Sequence, residues 1–458
     1  MQPIRCNLAL ALCGLMLATS APLAALADDG PAPVSFSKDI APILVQHCQA
    51  CHGPPEPKGG YQVANFELFM KPGESESPSV TPGNPDESEV FYLITLDDAD
   101  LRMPKEADPL SAEQIALIKR WIAEGAKYDG PEPTAPLASI VPKAAHPDPP
   151  ESYRRPVPIT AVAFNGDGSQ LAASGYHEVT IWNAANGSLT RRIKNVAQRV
   201  YSIAYSPDGT LVAVAGGVPG QLGEVKLFNP ADGSQVSEFP TTSDVVFRAE
   251  FSPDGKKLAT GGADRAIRIF DVASGKREVL IEDHADWVVG LAWSPDGSKL
   301  ASASRDKTSK LFNAATGESL MTYSGHGDQV FDVGFSGDGK LIFSAGADKK
   351  VHAWNPEDGK KKGELGGYGS EVLALATHAD KVFSCSADKK VQQHRVEGFK
   401  HFKGYEGVTD AAYAVAFHPA TGKVAAGSFA GEVRIWNAED GVQAATFIAA
   451  PGYAAPAP

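Results

Sequence analysis

Cysteine is scarce: Cys6, Cys13, Cys48, Cys51 and Cys385 are the only five in 458 residues, too few for a disulfide scaffold. Positive charge is also in deficit. With 42 Lys+Arg against 55 Asp+Glu the formal charge is −13, which argues against a general nucleic-acid binder. Long apolar runs are missing, which excludes a multi-span membrane protein; the run Leu8–Leu17 falls short of the ~20 residues that one span needs. What is abundant is glycine (45), proline (34) and hydrophobic residues (43%), the composition of a globular, turn-rich chain with length for two or three cores.

Residues 1–27 carry one basic residue, Arg5, then the apolar run, then Ala25-Leu26-Ala27 before Asp28. This pattern predicts a secretory signal peptide cleaved near Ala27, and so a periplasmic or otherwise exported mature chain without a membrane span. Leu12 is too bulky to precede a lipid-anchored Cys13. Cleavage removes Cys6 and Cys13, leaving Cys48, Cys51 and Cys385.

Three regions follow. Residues 28–130 hold two helical patterns, and residues 131–156 contain eight prolines, which predicts an extended linker without a core of its own. From 157 to 458 the chain repeats. Asp-Gly turns end at Gly168, Gly209, Gly255, Gly297 and Gly339, at spacings of 41, 46, 42 and 42, and a related turn reaches Gly422. Each unit reads as four short strands, the third ending in an aromatic: Trp182, Phe228, Phe270, Phe312, Trp354 and Trp436, with His394 in that slot of the sixth unit. Seven such units predict an all-β propeller. They resemble WD repeats: Asp264, Asp306, Asp348 and Asp388 each stand six residues before the aromatic slot, and Gly325-His326 matches the Gly-His opening. The resemblance implies that the Asp sits in a tight turn bonded to the histidine of its blade. Ala430 in the last unit and an insertion near 216–223 depart from the pattern, and how the ring closes is open.

Cys48-Gln49-Ala50-Cys51-His52 is a c-type haem attachment motif. Thiols three positions apart reach the two vinyl groups on one porphyrin edge, and the following imidazole faces the iron. A zinc site would need two more ligands nearby, and only His47 is there. Helical patterns over 37–47 and from the capping-box sequence Ser111-Ala112-Glu113-Gln114 flank this site. The second helix bears Ile115, Ile118, Trp121 and Ile122 and stops at Gly125. For the sixth ligand, Met103 in Arg102-Met103-Pro104 is favoured over Met70, because proline holds an extended loop ahead of the last helix. Met321 belongs to the propeller.

The segment 34–128 is similar to the planctomycete-type cytochrome c domain through Val34–Leu44, Cys48–Gly53, Lys58-Gly59-Gly60, Gly83-Asn84-Pro85, Arg102-Met103-Pro104 and Trp121–Ala126. That resemblance implies His52 and Met103 as axial ligands. The expected fold class is therefore multidomain, a small α-helical cytochrome c domain followed by an all-β seven-bladed propeller.

The reading favoured is outer-sphere electron transfer by one covalently bound haem c, with the propeller as a docking scaffold, and so an electron-transfer protein more than a catalyst. Two alternatives stand beside it: a redox enzyme with a catalytic or metal site on the propeller, and a haem-based sensor. A propeller metal site would fall in the irregular sixth unit, with His378, Cys385, His394 and His401, although packing explains Cys385 better. The lysine groups Lys349-Lys350, Lys360–Lys362 and Lys389-Lys390 read as solvated turns. Residues 28–130 hold 8 basic against 18 acidic side chains, which predicts a basic redox partner.

Overall fold

The computed structural model describes residues 32–453 except 54–56, 106, 131, 142–145 and 243. The leader expected over 1–27 lies outside the described residues. The chain divides into two compact units, residues 1–144 and 145–458.

The first unit is helical. A wide helical turn, Phe36–Ile40, is capped by Ser35 and runs into α1 (Ala41–His47). The short helices α2 (Gln49–His52), α3 (Phe66–Phe69) and α4 (Glu89–Ile94) follow, then α5 (Ala112–Ala123) and α6 (Leu137–Ile140). The capping box of α5 is formed: Ser111 Oγ accepts from Gln114 N (3.2 Å) and Gln114 Oε1 accepts from Ser111 N (2.9 Å). Ile118, Trp121 and Ile122 are buried, and an aromatic cluster joins α5 to the N-terminal turn. Phe36 lies 5.4 Å from Trp121 and 4.8 Å from Phe66 between ring centroids.

The second unit is a propeller of seven four-stranded antiparallel sheets, blades 1 to 7, spanning 162–193, 199–238, 246–281, 288–323, 330–365, 372–405 and 412–448. The blades converge on an axis with the first strand of each innermost, and the second strands, covered by sheets on both sides, carry small residues. Lys299–Ser304 and Lys423–Ser428, for example, are buried at every position but the first. The insertion in blade 2 lengthens a hairpin, with Val212–Val218 paired to Leu222–Phe228.

Ring closure exchanges no strand, since every sheet consists of four consecutive strands. An arm ahead of blade 1 lies along blade 7 instead. Tyr153 N donates to Pro451 O (3.0 Å), Ser152 Oγ to Gly452 O (2.8 Å) and Ile159 N to Ser428 O (3.0 Å), while Trp182 stacks on Phe447 at 4.7 Å. The stretch expected to be a core-less linker thus contributes to both units. Leu137 and Ile140 enter the helical core, and Tyr153 is buried on the propeller. Large apolar residues interspersed among the prolines give those segments something to bury.

The turn aspartates behave as the repeat resemblance implied in two blades. Asp306 Oδ2 accepts from His284 Nδ1 (2.7 Å) and Asp348 Oδ2 from His326 Nδ1 (2.9 Å); the other imidazole nitrogens face Ser302 and Ser344 hydroxyls. In blade 6 Tyr368 replaces the histidine and bonds Ser384 Oγ (2.5 Å). In blade 3 Asp264 pairs instead with Arg268 (2.7 Å).

Candidate haem-binding site

Helix α1 delivers the chain into the Cys-x-x-Cys-His motif without a break. Cys48 N donates to Leu44 O (3.0 Å), Cys51 N to Cys48 O (3.2 Å) and His52 N to Cys48 O (3.0 Å). The motif is one helical turn, so positions i, i+3 and i+4 bring Cys48, Cys51 and His52 to the same side. Gly53 ends the turn because nothing larger fits: a Cβ there would lie 2.5 Å from the Gln49 carbonyl oxygen.

His52 is held at two points. Its carbonyl accepts from Val63 N (2.9 Å), and its Nδ1 lies 3.0 Å from the Lys58 carbonyl oxygen. A carbonyl only accepts, so the proton resides on Nδ1 and Nε2 presents its lone pair, the tautomer that a metal-ligating imidazole requires. Tyr61 packs edge-on against this ring at 5.4 Å, and its hydroxyl is fixed by Ser79 (2.7 Å). Burial pushes the Tyr61 phenol upward, so it stays neutral.

Met103 enters from the other side of the sequence. Its N–H donates to Leu93 O (3.0 Å), which ties the loop after α4 to that helix. Cys48, Cys51, His52 and Met103 all line one cavity of about 520 Å³ whose walls include Leu44, Val63, Phe69, Leu93, Ile94 and Leu110. That volume lies within the roughly 300–1,000 Å³ usual for cofactor sites, and the mostly apolar wall with a few directed polar atoms is the usual lining. Burial first, and the neighbouring Cys51 second, push the Cys48 thiol up to about 11. Both thiols are free rather than joined to each other.

A zinc reading of the motif finds no support in this geometry. Among the described residues, the group of metal-ligating side chains whose ligand atoms lie within 4.8 Å of one another is His326, Asp348 and His352, not the Cys48–His52 set. His47 faces Gln114 instead (3.2 Å). An apolar cleft with two thiols, an imidazole with a bare Nε2 and a thioether on one wall each suits the donor set of a c-type haem.

The sixth blade does not gather a site. Cys385 is fully buried in the strand Lys381–Ser386, with its thiol raised by burial, and His394 is buried at the register of an aromatic. The lysine groups are exposed. Sequence reasoning missed the Lys58 carbonyl, whose signal was the Lys58-Gly59-Gly60 turn that brings the chain back over His52. It also missed the blade 5 cluster, marked only by a histidine at a strand position where four of the other six units carry Lys or Arg.

Residues 48–107 match the family described as Planctomycete cytochrome C, a stretch that contains all four candidate haem residues. Residues 233–271, 275–313, 317–355 and 399–437 match the WD domain, G-beta repeat. No curated protein matches the chain significantly. The first unit therefore carries a cytochrome c domain, which implies haem c, and the second is a WD-repeat propeller.

Proposed function

We propose that this chain, a planctomycete-type cytochrome c domain ahead of a WD-repeat propeller, is an exported electron-transfer protein that docks partner proteins through the propeller. The observation that carries the reading is the single cavity shared by Cys48, Cys51, His52 and Met103. Cys48 and Cys51 would hold one haem c covalently, and His52 Nε2 and Met103 Sδ would be its axial ligands. Bound there, the haem supplies a one-electron couple, whose potential a thioether ligand raises.

The protein's part is positional and electrostatic. The Lys58 carbonyl keeps the His52 proton on Nδ1, and the mostly apolar wall lowers the polarity around the ligand atoms. With His52 and Met103 both holding it, the iron would keep no vacant position for dioxygen or peroxide, which favours outer-sphere transfer over catalysis. The partner fits a basic surface. Tyr92 and Leu101 are 59% and 54% exposed, and Asp97, Asp98 and Asp100 are exposed in the loop between them. Apolar contact ringed by carboxylates suits a cationic redox protein. A signal peptide over 1–27 would bring the chain to the compartment where haem is attached. Among the described residues, no helix is long and apolar enough to cross a membrane.

Absorption spectra test the assignment. The purified protein is expected to be low-spin, with a methionine–iron charge-transfer band in the ferric form, and Met103→Ala to be high-spin and reactive with carbon monoxide. An unchanged spectrum in Met103→Ala refutes the ligand, and a carbon-monoxide-reactive wild-type haem refutes simple electron transfer.

A further inference from the structure

The blades repeat one local design, so each departure can be read against its neighbours. In blade 4 the turn carboxylate Asp306 uses both oxygens. Oδ2 accepts from His284 Nδ1 (2.7 Å), and Oδ1 accepts from Thr308 N (2.9 Å) and Thr308 Oγ1 (2.6 Å). Two residues further on, Lys310 places its ammonium on Asp283 (3.0 Å). Blades 2, 3 and 7 also hold a cation at that strand position: Lys226, Arg268 and Arg434, paired with Glu224 (3.4 Å), Asp264 (2.7 Å) and Glu432 (2.7 Å).

Blade 5 keeps the His326–Asp348 pair and changes both flanking residues. Lys350 stands where blade 4 has Thr308, and neither a hydroxyl nor a backbone N–H reaches Asp348 Oδ1, which is buried without a hydrogen-bond partner. His352 stands where blades 2, 3, 4 and 7 carry Lys or Arg. Its Nδ1 lies 2.9 Å from the Tyr323 hydroxyl, and its Nε2 has no hydrogen-bond partner on a residue only 3% exposed. Ligand atoms of His326, Asp348 and His352 lie within 4.8 Å of one another.

We propose that blade 5 binds one late first-row divalent cation, Zn²⁺ foremost, through His326, Asp348 and His352. Two imidazole nitrogens and a carboxylate oxygen form a borderline-soft donor set that suits such ions over Mg²⁺ or Ca²⁺. The ion supplies the positive charge that Lys or Arg supplies in blades 2, 3, 4 and 7. With Nδ1–H of His352 donating to Tyr323 Oη, Nε2 presents a lone pair; on binding, the single His326 proton moves from Nδ1 to Nε2, which then donates to Ser344 Oγ (2.8 Å) and leaves Nδ1 to the ion. The two rings are stacked, 4.1 Å between centroids and 14° between planes, so the ion sits at their edge after a rotation of His352. Access is from the Asp348 side chain, 15% exposed, and from Glu364. Glu364 Oε2 lies 3.9 Å from His352 Nε2 but is shared with Lys361 (2.6 Å) and Lys350 (3.4 Å), so water takes the fourth position.

The test uses the untagged, haem-loaded full chain dialysed against Zn²⁺, with zinc and iron counted by elemental analysis. One zinc per chain is expected, independent of iron content. His352→Lys and Lys350→Thr each install the residue of blade 4, so both are compatible with the fold, and circular dichroism checks this. His352→Lys is expected to lose the zinc and Lys350→Thr to bind it at least tenfold more weakly. No zinc on the wild-type chain, or zinc held by His352→Lys at wild-type affinity, overturns the proposal.

Discussion

The arm that closes the propeller ring should be measurable through one buried carboxylate. Glu178 is 0% exposed and accepts from Tyr153 Oη (2.6 Å), Arg192 Nε (2.5 Å) and Arg192 Nη2 (3.0 Å). Arg192 also donates to the Pro150 carbonyl (2.7 Å), so the cluster ties the arm to blade 1 while Tyr153 N ties it to blade 7. Tyr153→Phe keeps the ring and removes one bond to a charged acceptor, an expected loss of about 1.5–3 kcal/mol. Arg192→Met leaves the carboxylate buried with only the phenol, an expected loss of about 3–5 kcal/mol. The two losses should not add, because both act on one group. Glu178→Gln in the Arg192→Met background should recover much of the loss, since a neutral amide replaces the unpaired charge. Five of the six tryptophans lie in the propeller, so urea unfolding followed by tryptophan fluorescence reports this unit. With a urea m-value of about 3 kcal/mol/M, a loss of 2 kcal/mol moves the midpoint by roughly 0.7 M. A Tyr153→Phe midpoint equal to wild type, or an Arg192→Met variant not rescued by Glu178→Gln, would refute the reasoning.

Further outcomes follow from the same structure. Gly53→Ala puts a Cβ 2.5 Å from the Gln49 carbonyl oxygen and should distort the motif turn, lowering the haem-to-protein ratio several-fold on purification. Reduction of the protein by a basic donor should slow by an order of magnitude or so between low salt and 0.5 M salt, where the screening length falls well below the ~10 Å of 0.1 M salt; a salt-independent rate would remove the acidic docking surface. In the blade turns, the Ser294 hydroxyl and the Ser298 amide and hydroxyl hold Asp296 down at about 2, and Asp208, Asp254 and Asp338 are lowered by the matching serines. Their folded pKa values lie below the unfolded value, so their stabilisation is present above about pH 4 and lost as pH falls towards 2. The thermal midpoint should drop over that window, and less steeply in Asp296→Asn.

Local patterns carried much of this protein. Ser111 and Gln114 specify the start of α5 by spacing alone, since a capping box is a contact between residues three apart. The regular spacing of six turn glycines and six aromatic strand ends, with His394 in the remaining slot, likewise specifies seven blades, because each blade is built from one contiguous stretch. The Cys48–His52 spacing is enough to put three haem-directed groups on one helical turn.

Other features join residues far apart in the chain and have no local signature. The arm on blade 7 joins residues 300 apart, as in Ser152 and Gly452, and a proline-rich composition said nothing of Tyr153 and its carboxylate. The proline context of Met103 favours it, but only the folded chain brings it to the cavity that His52 also lines. In blade 5 the decisive facts are an orphaned oxygen on Asp348 and an orphaned nitrogen on His352. Sequence determined the repeat, the attachment motif and the helix caps, because contacts within a few residues are fixed by spacing. Tertiary structure decided ring closure, the tautomer of His52 and which buried polar atoms lack partners, because those depend on what distant backbone supplies.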